Sequence, residues 1–352
     1  MLNSLYVEAV RKKGSIKEII PKLESNSSVS EKWNDLIINS SSDDFSIGAG
    51  DGSFNKKNFL TFTFYAIACE SLIYDGKLKK FENSDIDTIS HYNFTDDLLR
   101  NYMSIYEVKS ALKSIKEYNV DYYLFDGSLL GDLIRHFPLG FILSKEKKEE
   151  IVKTTKDMFK EEIASFAVEI SSTKILNRFY KPIHSEEFSY KMFLSSLEKL
   201  LALYELLKEK KKIIAISKTS TNNKIFKSNI PDIAIFDKYT QSEGKSNEYY
   251  LPISNEVKHV FPIENDFFKS LEFTVFYLRL DKGKNVLKVE LPYKASSREI
   301  EDIIEKLKKY STEGYPYLLK KAHNDVVISN KNIKELANII KIREKSGREM
   351  LN

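Results

Sequence analysis

The sequence predicts an α/β protein whose core is a mixed β-sheet. Three observations point there. Residues 47–53, 59–69 and 71–79 are rich in β-branched, aromatic and small side chains and read as consecutive strands of an antiparallel meander. A helical pattern over 95–118 then leads into a further strand-like run over 120–126, and a helix between strands after a meander calls for parallel as well as antiparallel pairing. The first and last of these strands run into the same tripeptide, Asp51-Gly52-Ser53 and Asp126-Gly127-Ser128. A carboxylate at a strand end has a rigid base and an exposed head, and the glycines leave room for a ligand or for backbone to approach.

Composition bounds the classes of function. A chain of 352 residues can bury a large core as one elaborated domain or two. With 42% hydrophobic and 30% charged residues it is a globular rather than a disordered chain. The net charge of +4, from 55 basic and 51 acidic residues, is too small to identify a nucleic-acid binder by itself. The lysine-rich runs 145–148 and 208–212 read as solvated helix faces, although such clusters can also create a strong local field. No uncharged apolar run approaches the roughly 18 residues of a membrane helix, and the N-terminus lacks a secretory pattern, so a cytoplasmic protein is expected. The single cysteine, Cys69, follows an apolar run and reads as a buried thiol. It can form no disulfide within the chain, and it excludes a zinc cluster built on thiolates.

In chain order, Leu5, Val10, Ile16, Ile19 and Ile20 recur at roughly helical spacing over 2–24, with Pro21 placed to close or kink that helix. A polar break leads to an expected short helix around Trp33 and residues 36–38. Asp75-Gly76 is a turn within or after the third meander strand. In the 95–118 helix, Leu98, Tyr102, Ile105, Leu112 and Ile115 form the apolar stripe. Glu107 falls on the opposite side among small neighbours such as Ser104, Ser110, Ala111 and Ser114. A face of small residues admits a close partner, so Glu107 is either presented to a site or simply solvated. Residues 129–134 open a helix. Lys/Glu-rich helical patterns over 144–179 and 189–212 form a helical insertion before the strand 212–218, which ends on Lys218. Residues 273–280 and 286–291 read as a strand pair, Ser296 to Glu299 as a capping box, and 317–328 and 333–345 as helices.

The chemistry centres on carboxylates. Asp51, Glu107 and Asp126 form one candidate set, with Asp232 as a candidate fourth ligand. Hard cations such as Mg²⁺ and Mn²⁺ prefer oxygen ligands, and two such ions bridged by carboxylates can hold both oxygens of an in-line phosphoryl displacement. A lone Asp-Gly is ordinarily just a turn; the duplication is what raises the site reading. His323, in the company of Tyr315, lies just over two helical turns beyond it and could contact a phosphate or move a proton, or be a structural histidine. Lys218 is a candidate phosphate contact, or a plain surface lysine. No G-x-x-x-x-G-K-[ST] occurs, since Gly244-Lys245-Ser246 lacks the earlier glycine, so an ATP motor is not expected. No G-x-G-x-x-G, H-E-x-x-H or G-x-S-x-G supports dinucleotide, zinc-protease or serine-hydrolase chemistry.

Taken in order, Asp51-Gly52-Ser53, Tyr106-Glu107, Phe125-Asp126-Gly127-Ser128, Ile216-Ser217-Lys218, Pro231-Asp232 and Gly314-Tyr315-Pro316 with Ala322-His323 resemble the NurA nucleases of archaea. The resemblance spans most of the chain. It implies an RNase H-like core with a mixed sheet and flanking helices over 46–352; the helical pattern at about 144–212, which the resemblance does not match motif by motif, reads as an insertion into that core, and 1–45 as an N-terminal helical region. It further implies a Mn²⁺-dependent deoxyribonuclease, with Mg²⁺ as a substitute and two ions per site. Such an enzyme is a 5′→3′ exonuclease on single- and double-stranded DNA and an endonuclease on single strands. The residues corresponding to Asp51, Glu107 and Asp126 bind metal in that family, and those matching Tyr315 and His323 are implicated in activity. Asp232 and Lys218, as metal ligand and DNA contact, are carried over less directly. Members form homodimers and act in DNA double-strand-break end resection and homologous recombination with the hexameric translocase HerA, which supplies the motor this chain lacks. The rival from another class is a non-catalytic DNA-binding or scaffold subunit on the same fold, which would have no need of three aligned carboxylates.

Overall fold

In the computed structural model, which describes residues 2–19, 29–135 and 143–342, an exposed helix α1 (Asn3–Ile19) precedes a short strand β1 (Trp33–Asp35). The meander is β2 (Ile47–Asn58), β3 (Thr63–Tyr74) and β4 (Leu78–Ile89). Helix α2 (Thr95–Lys116), strand β5 (Tyr122–Asp126) and helix α3 (Leu129–Ile134) follow. Helices α4 (Lys145–Ala164), α5 (Ser171–Phe179) and α6 (His184–Leu207) are inserted before β6 (Ile213–Ser217). Next come α7 (Asp232–Tyr239), β7 (Gly244–Ser246), β8 (Tyr249–Pro252), α8 (Ile253–Glu256), α9 (Asn265–Ser270), β9 (Glu272–Arg279) and β10 (Leu287–Leu291). Helix α10 (Ser297–Lys309), a ribbon of β11 (Ser311–Thr312) and β12 (Tyr315–Pro316), and helices α11 (Tyr317–Val326) and α12 (Asn330–Ile339) complete the described chain. No described helix is long and apolar enough to cross a membrane.

Ten strands form one sheet in the order β4-β3-β2-β5-β6-β10-β9-β7-β1, with β8 also paired to β9. β2, β5 and β6 are mutually parallel and the meander pairs are antiparallel. A three-stranded meander continued by two parallel strands is the RNase H-like order, extended here by antiparallel β10, β9, β7 and β1. Parallel neighbours require long crossovers: α2 makes the first, and α3 with the inserted α4–α6 makes the second.

Each face of the sheet buries its own core, because successive side chains of a strand point to opposite sides. Ile47 and Ala49 pack with Leu124, Ile216, Val289 and the apolar sides of α10 and α11. On the other face Val108, Ala111 and Leu112 of α2 pack with Phe125, Ala215 and with Leu194, Leu197 and Leu201 of α6. Helix α10 begins with the expected capping box, Ser296 with Glu299.

Four expectations about the elements change. Trp33 starts a strand instead of a helix: it pairs with Ser246 of β7, and its ring lies 5.4 Å from that of Phe236. Pairing at a sheet edge and aromatic packing override a weak local helical pattern. The third meander strand is 78–89, not 71–79, because Asp75-Gly76 turns the chain with Gly76 at φ 91°. β2 also runs past Asp51 to Asn58, so Asp51 lies inside a long strand. The C-terminal helix α12 starts at Asn330 and ends at Ile339; residues 343–345 of the expected helix lie outside the described residues.

Candidate metal centre

Asp51 is mid-strand, yet it still sits at an edge. The ladder between β2 and β5 ends at the Gly50–Phe125 pair. The next residues, Asp51 and Asp126, therefore sit where the two strands part, and Asp126 is still paired with Ile216 of β6. By strand alternation both carboxylates lie on the face that carries α11. That helix brings His323 across, with Nδ1 2.6 Å from Asp51 Oδ2. One ligand atom from each of Asp51, Asp126 and His323 lies within 4.8 Å of the others. Asp51 is 8% exposed, and its second oxygen accepts the Gly52 N–H at 2.8 Å.

Glu107 approaches from the opposite face through a gap in the strand. A Cβ added to Gly52 would stand 2.7 Å from Glu107 Oε1 and 2.8 Å from Met103 Cγ. Gly52 is thus a glycine because the α2 carboxylate occupies the space of its missing side chain. The small-residue face of α2 (Ser104, Ser110, Ala111, Ser114) is buried, as its composition predicts. Loss of water pushes the Glu107 carboxyl well above its ordinary 4.5, with Asp51, Asp132 and Asp126 adding repulsion. Burial also raises Asp126, against the opposing pull of Lys218.

Lys218, at the end of β6, donates to Asp126 Oδ2 at 3.0 Å, and its ammonium lies 5.0 Å from the centre of the Tyr315 ring. The Tyr315 hydroxyl has no hydrogen-bond partner among the described residues. Burial, with Asp126 and Asp51 close by, drives its pKa far upward, so it remains a neutral O–H donor. Tyr315 and His323 do not share a helix, contrary to what their spacing suggests; Tyr315 lies in β12, ahead of α11, and both residues face the site all the same.

Asp232 is not brought to this cluster. Its side chain is buried at the start of α7, where its two oxygens accept the N–H groups of Ile225 (2.9 Å) and Phe226 (3.1 Å). It anchors the 222–232 loop, with each oxygen already accepting one of that loop's N–H groups. Asp132 of α3, which repels the Glu107 charge and pairs with Lys199 of α6 at 3.4 Å, was not singled out from the sequence. The acidic residue six positions beyond Asp126 was its one available signal; Lys199 is one lysine among many.

Carboxylate oxygens with one imidazole nitrogen are a donor set that Mn²⁺ or Mg²⁺ accepts. Desolvated, mutually repelling carboxylates with Lys218 as the nearby cation gain most from a divalent ion, so the residues present fit the group. Asp51 and Asp126, with Glu107 beside them, are the residues that would hold it, and His323 borders them through its contact with Asp51.

The family model of the NurA domain matches residues 45–328. A curated relative, the probable DNA double-strand break repair nuclease NurA of Methanocaldococcus jannaschii, is 33% identical over 95% of this chain and 89% of its own length. The crystal structure of the NurA nuclease from Sulfolobus solfataricus superposes with a TM-score of 0.74 at 24% identity, covering 97% of this chain and 96% of that one. A NurA crystal structure bound to dAMP and manganese has the same fold, with a TM-score of 0.69 at 15% identity over the whole of both chains (100% each). With its strand order, its two Asp-Gly-Ser tripeptides and a domain match over most of its length, this chain belongs to the NurA family.

Proposed function

We propose that the protein is a Mn²⁺-dependent deoxyribonuclease, for which Mg²⁺ can substitute, with two ions per site. It degrades single- and double-stranded DNA 5′→3′ and cuts single strands internally. The observation that carries this reading is the convergence of Asp51, Asp126 and His323 ligand atoms within 4.8 Å, with Glu107 entering through the Gly52 gap. The names of the curated relatives, and a similarly folded NurA solved with dAMP and manganese, support it. The protein would act as a homodimer beside a hexameric HerA-type translocase in double-strand-break end resection, since the chain carries no nucleotide-hydrolysis loop of its own.

Divalent ions bound here would supply charge neutralisation and activation of water for in-line displacement at phosphorus. The chain's own residues do the rest. Asp51, Asp126 and Glu107 would hold the cations. With His323 Nδ1 on Asp51, Nε2 is the nitrogen free to carry a proton to or from substrate. Lys218 can share its charge between Asp126 and an incoming phosphate, and the unpaired Tyr315 hydroxyl can donate to a phosphate oxygen.

The test is degradation of 5′- and 3′-labelled single- and double-stranded DNA with Mn²⁺, Mg²⁺ or EDTA, wild type beside Asp51→Ala. We expect metal-dependent cleavage that the substitution abolishes, with the label pattern reporting polarity. DNA binding without cleavage under any metal would favour the scaffold role; cleavage surviving in a folded Asp51→Ala protein would place the site elsewhere.

A further inference from the structure

Behind the metal centre, on the other face of the same strand ends, lies a cavity of about 490 Å³ between α3 and the loop after β6. Its walls begin next to the site. Ser128 is two residues beyond Asp126, Ser217 immediately precedes Lys218, and both line the cavity. Two residues span at most about 7 Å of backbone, a distance that one nucleotide bridges.

The lining carries unspent hydrogen-bonding capacity. Ser217 is 6% exposed, and its Oγ has no partner among the described residues. Opposite it in the ladder stands Lys288, 5% exposed, whose ammonium donates to Glu290 Oε1 at 2.6 Å. An ammonium has three donors, and this bond uses one of them. Glu290 is itself committed: its oxygens also accept the Ser128 hydroxyl at 2.7 Å and the Leu130 N–H at 3.1 Å. Lys288 is therefore fixed in place by a fixed partner, with donors left for another acceptor. Leu130, Ile134 and Leu251 give the cavity an apolar floor, and Thr221 stands at its exposed rim. Buried hydroxyl and ammonium donors above an apolar floor suit a nucleotide, whose phosphate and sugar accept hydrogen bonds and whose base offers a flat face.

We propose that this cavity is a second nucleotide subsite, taking the nucleotide next to the scissile phosphate of a single strand drawn over the ends of β5 and β6. The proposal rests on the nuclease reading and extends it to the substrate's path. It also assigns Lys288 and Ser217 to substrate rather than to metal.

The test measures fluorescence anisotropy of a labelled single-stranded oligonucleotide in EDTA, where no cleavage competes, followed by steady-state kinetics with Mn²⁺. Thr221→Trp fills the rim. It should raise Kd about tenfold, the contact of one stacked nucleotide, and raise KM by a similar factor while kcat changes less. Should the bulky variant unfold, Thr221→Glu and Thr221→Lys carry the test: the first weakens binding and the second strengthens it. Binding within about twofold of wild type in folded Thr221→Trp and Thr221→Glu proteins overturns the subsite. A wild type that neither binds nor cleaves DNA overturns the nuclease reading first, and the subsite with it.

Discussion

At Gly52 a single absent methyl group leaves the space that the carboxylate of Glu107 occupies beside the strand. Gly52→Ala should displace Glu107, because the new Cβ would meet its Oε1 at 2.7 Å. Met103 Cγ, 2.8 Å from the same Cβ, must give way as well, so the melting temperature should fall even though the protein still folds. Cleavage should fall by about tenfold or more, since metal ligands work only when held to within fractions of an ångström. An unimpaired Gly52→Ala enzyme would show that Glu107 contributes little. Asp51→Ala and Asp126→Ala should each abolish cleavage in a folded protein, and His323→Ala should reduce it less completely, as rates on the labelled DNA will report. The strand-borne positions of Asp51 and Asp126 were legible from local motifs, whereas helical phase left Glu107 either presented to a site or solvated, and its burial against Gly52 came from the packing. The His323–Asp51 contact joins residues far apart in the chain, and no local pattern encodes such a pairing. Asp232 was misread for the same reason: its Pro-Asp motif looks alike whether the carboxylate faces a metal or its own loop.

Among the elements, α2 holds its carboxylate in place through a buried network with the inserted helices. Lys109, two residues from Glu107, donates to Glu198 Oε1 of α6 at 2.6 Å and to the Glu169 carbonyl at 2.7 Å. Glu198 in turn accepts the N–H groups of Ser171 and Ser172, both at 2.8 Å, at the start of α5. Both side chains of the pair are at most 2% exposed. Removing one partner leaves a buried charge unmatched, so Lys109→Met should cost about 3–5 kcal/mol by denaturant titration. The double variant Lys109→Met/Glu198→Gln should recover part of it, because neither side chain then carries a charge. The insertion thereby acquires a structural role, since α5 and α6 brace the helix that presents Glu107. The helical character of 144–212 was readable from periodicity, but its packing partner was not. Likewise β1 was missed, because a three-residue edge strand draws its stability from β7 and Phe236 rather than from its own sequence.

For the whole molecule, the metal site is a stability defect that a cation relieves. The folded Glu107 carboxyl titrates above its unfolded value of 4.5, and Asp126 above 3.8. The native state therefore binds more protons than the unfolded state in that window. Metal-free stability consequently falls as pH rises from the ordinary carboxylate range through the raised values. Glu107→Gln should raise the melting temperature of the metal-free protein at neutral pH while lowering its cleavage. Mn²⁺ should stabilise the wild type through binding to the native state, and this shift should shrink in Asp51→Ala and Asp126→Ala. A melting temperature unchanged by Mn²⁺ in the wild type would argue against the cluster as a cation site.

By itself the sequence determined the α/β class, the meander, the capped α10, the helical insertion and the strand-borne aspartates, because each of these is written in residues close together along the chain. Only the tertiary structure decided that Asp51 lies where β5 leaves β2, that Glu107 enters through Gly52, that His323 joins the carboxylates and that Asp232 does not. Those outcomes depend on register and on which sheet face each helix covers. Both are settled by the sum of many weak contacts across the whole core, so no short stretch of sequence carries them.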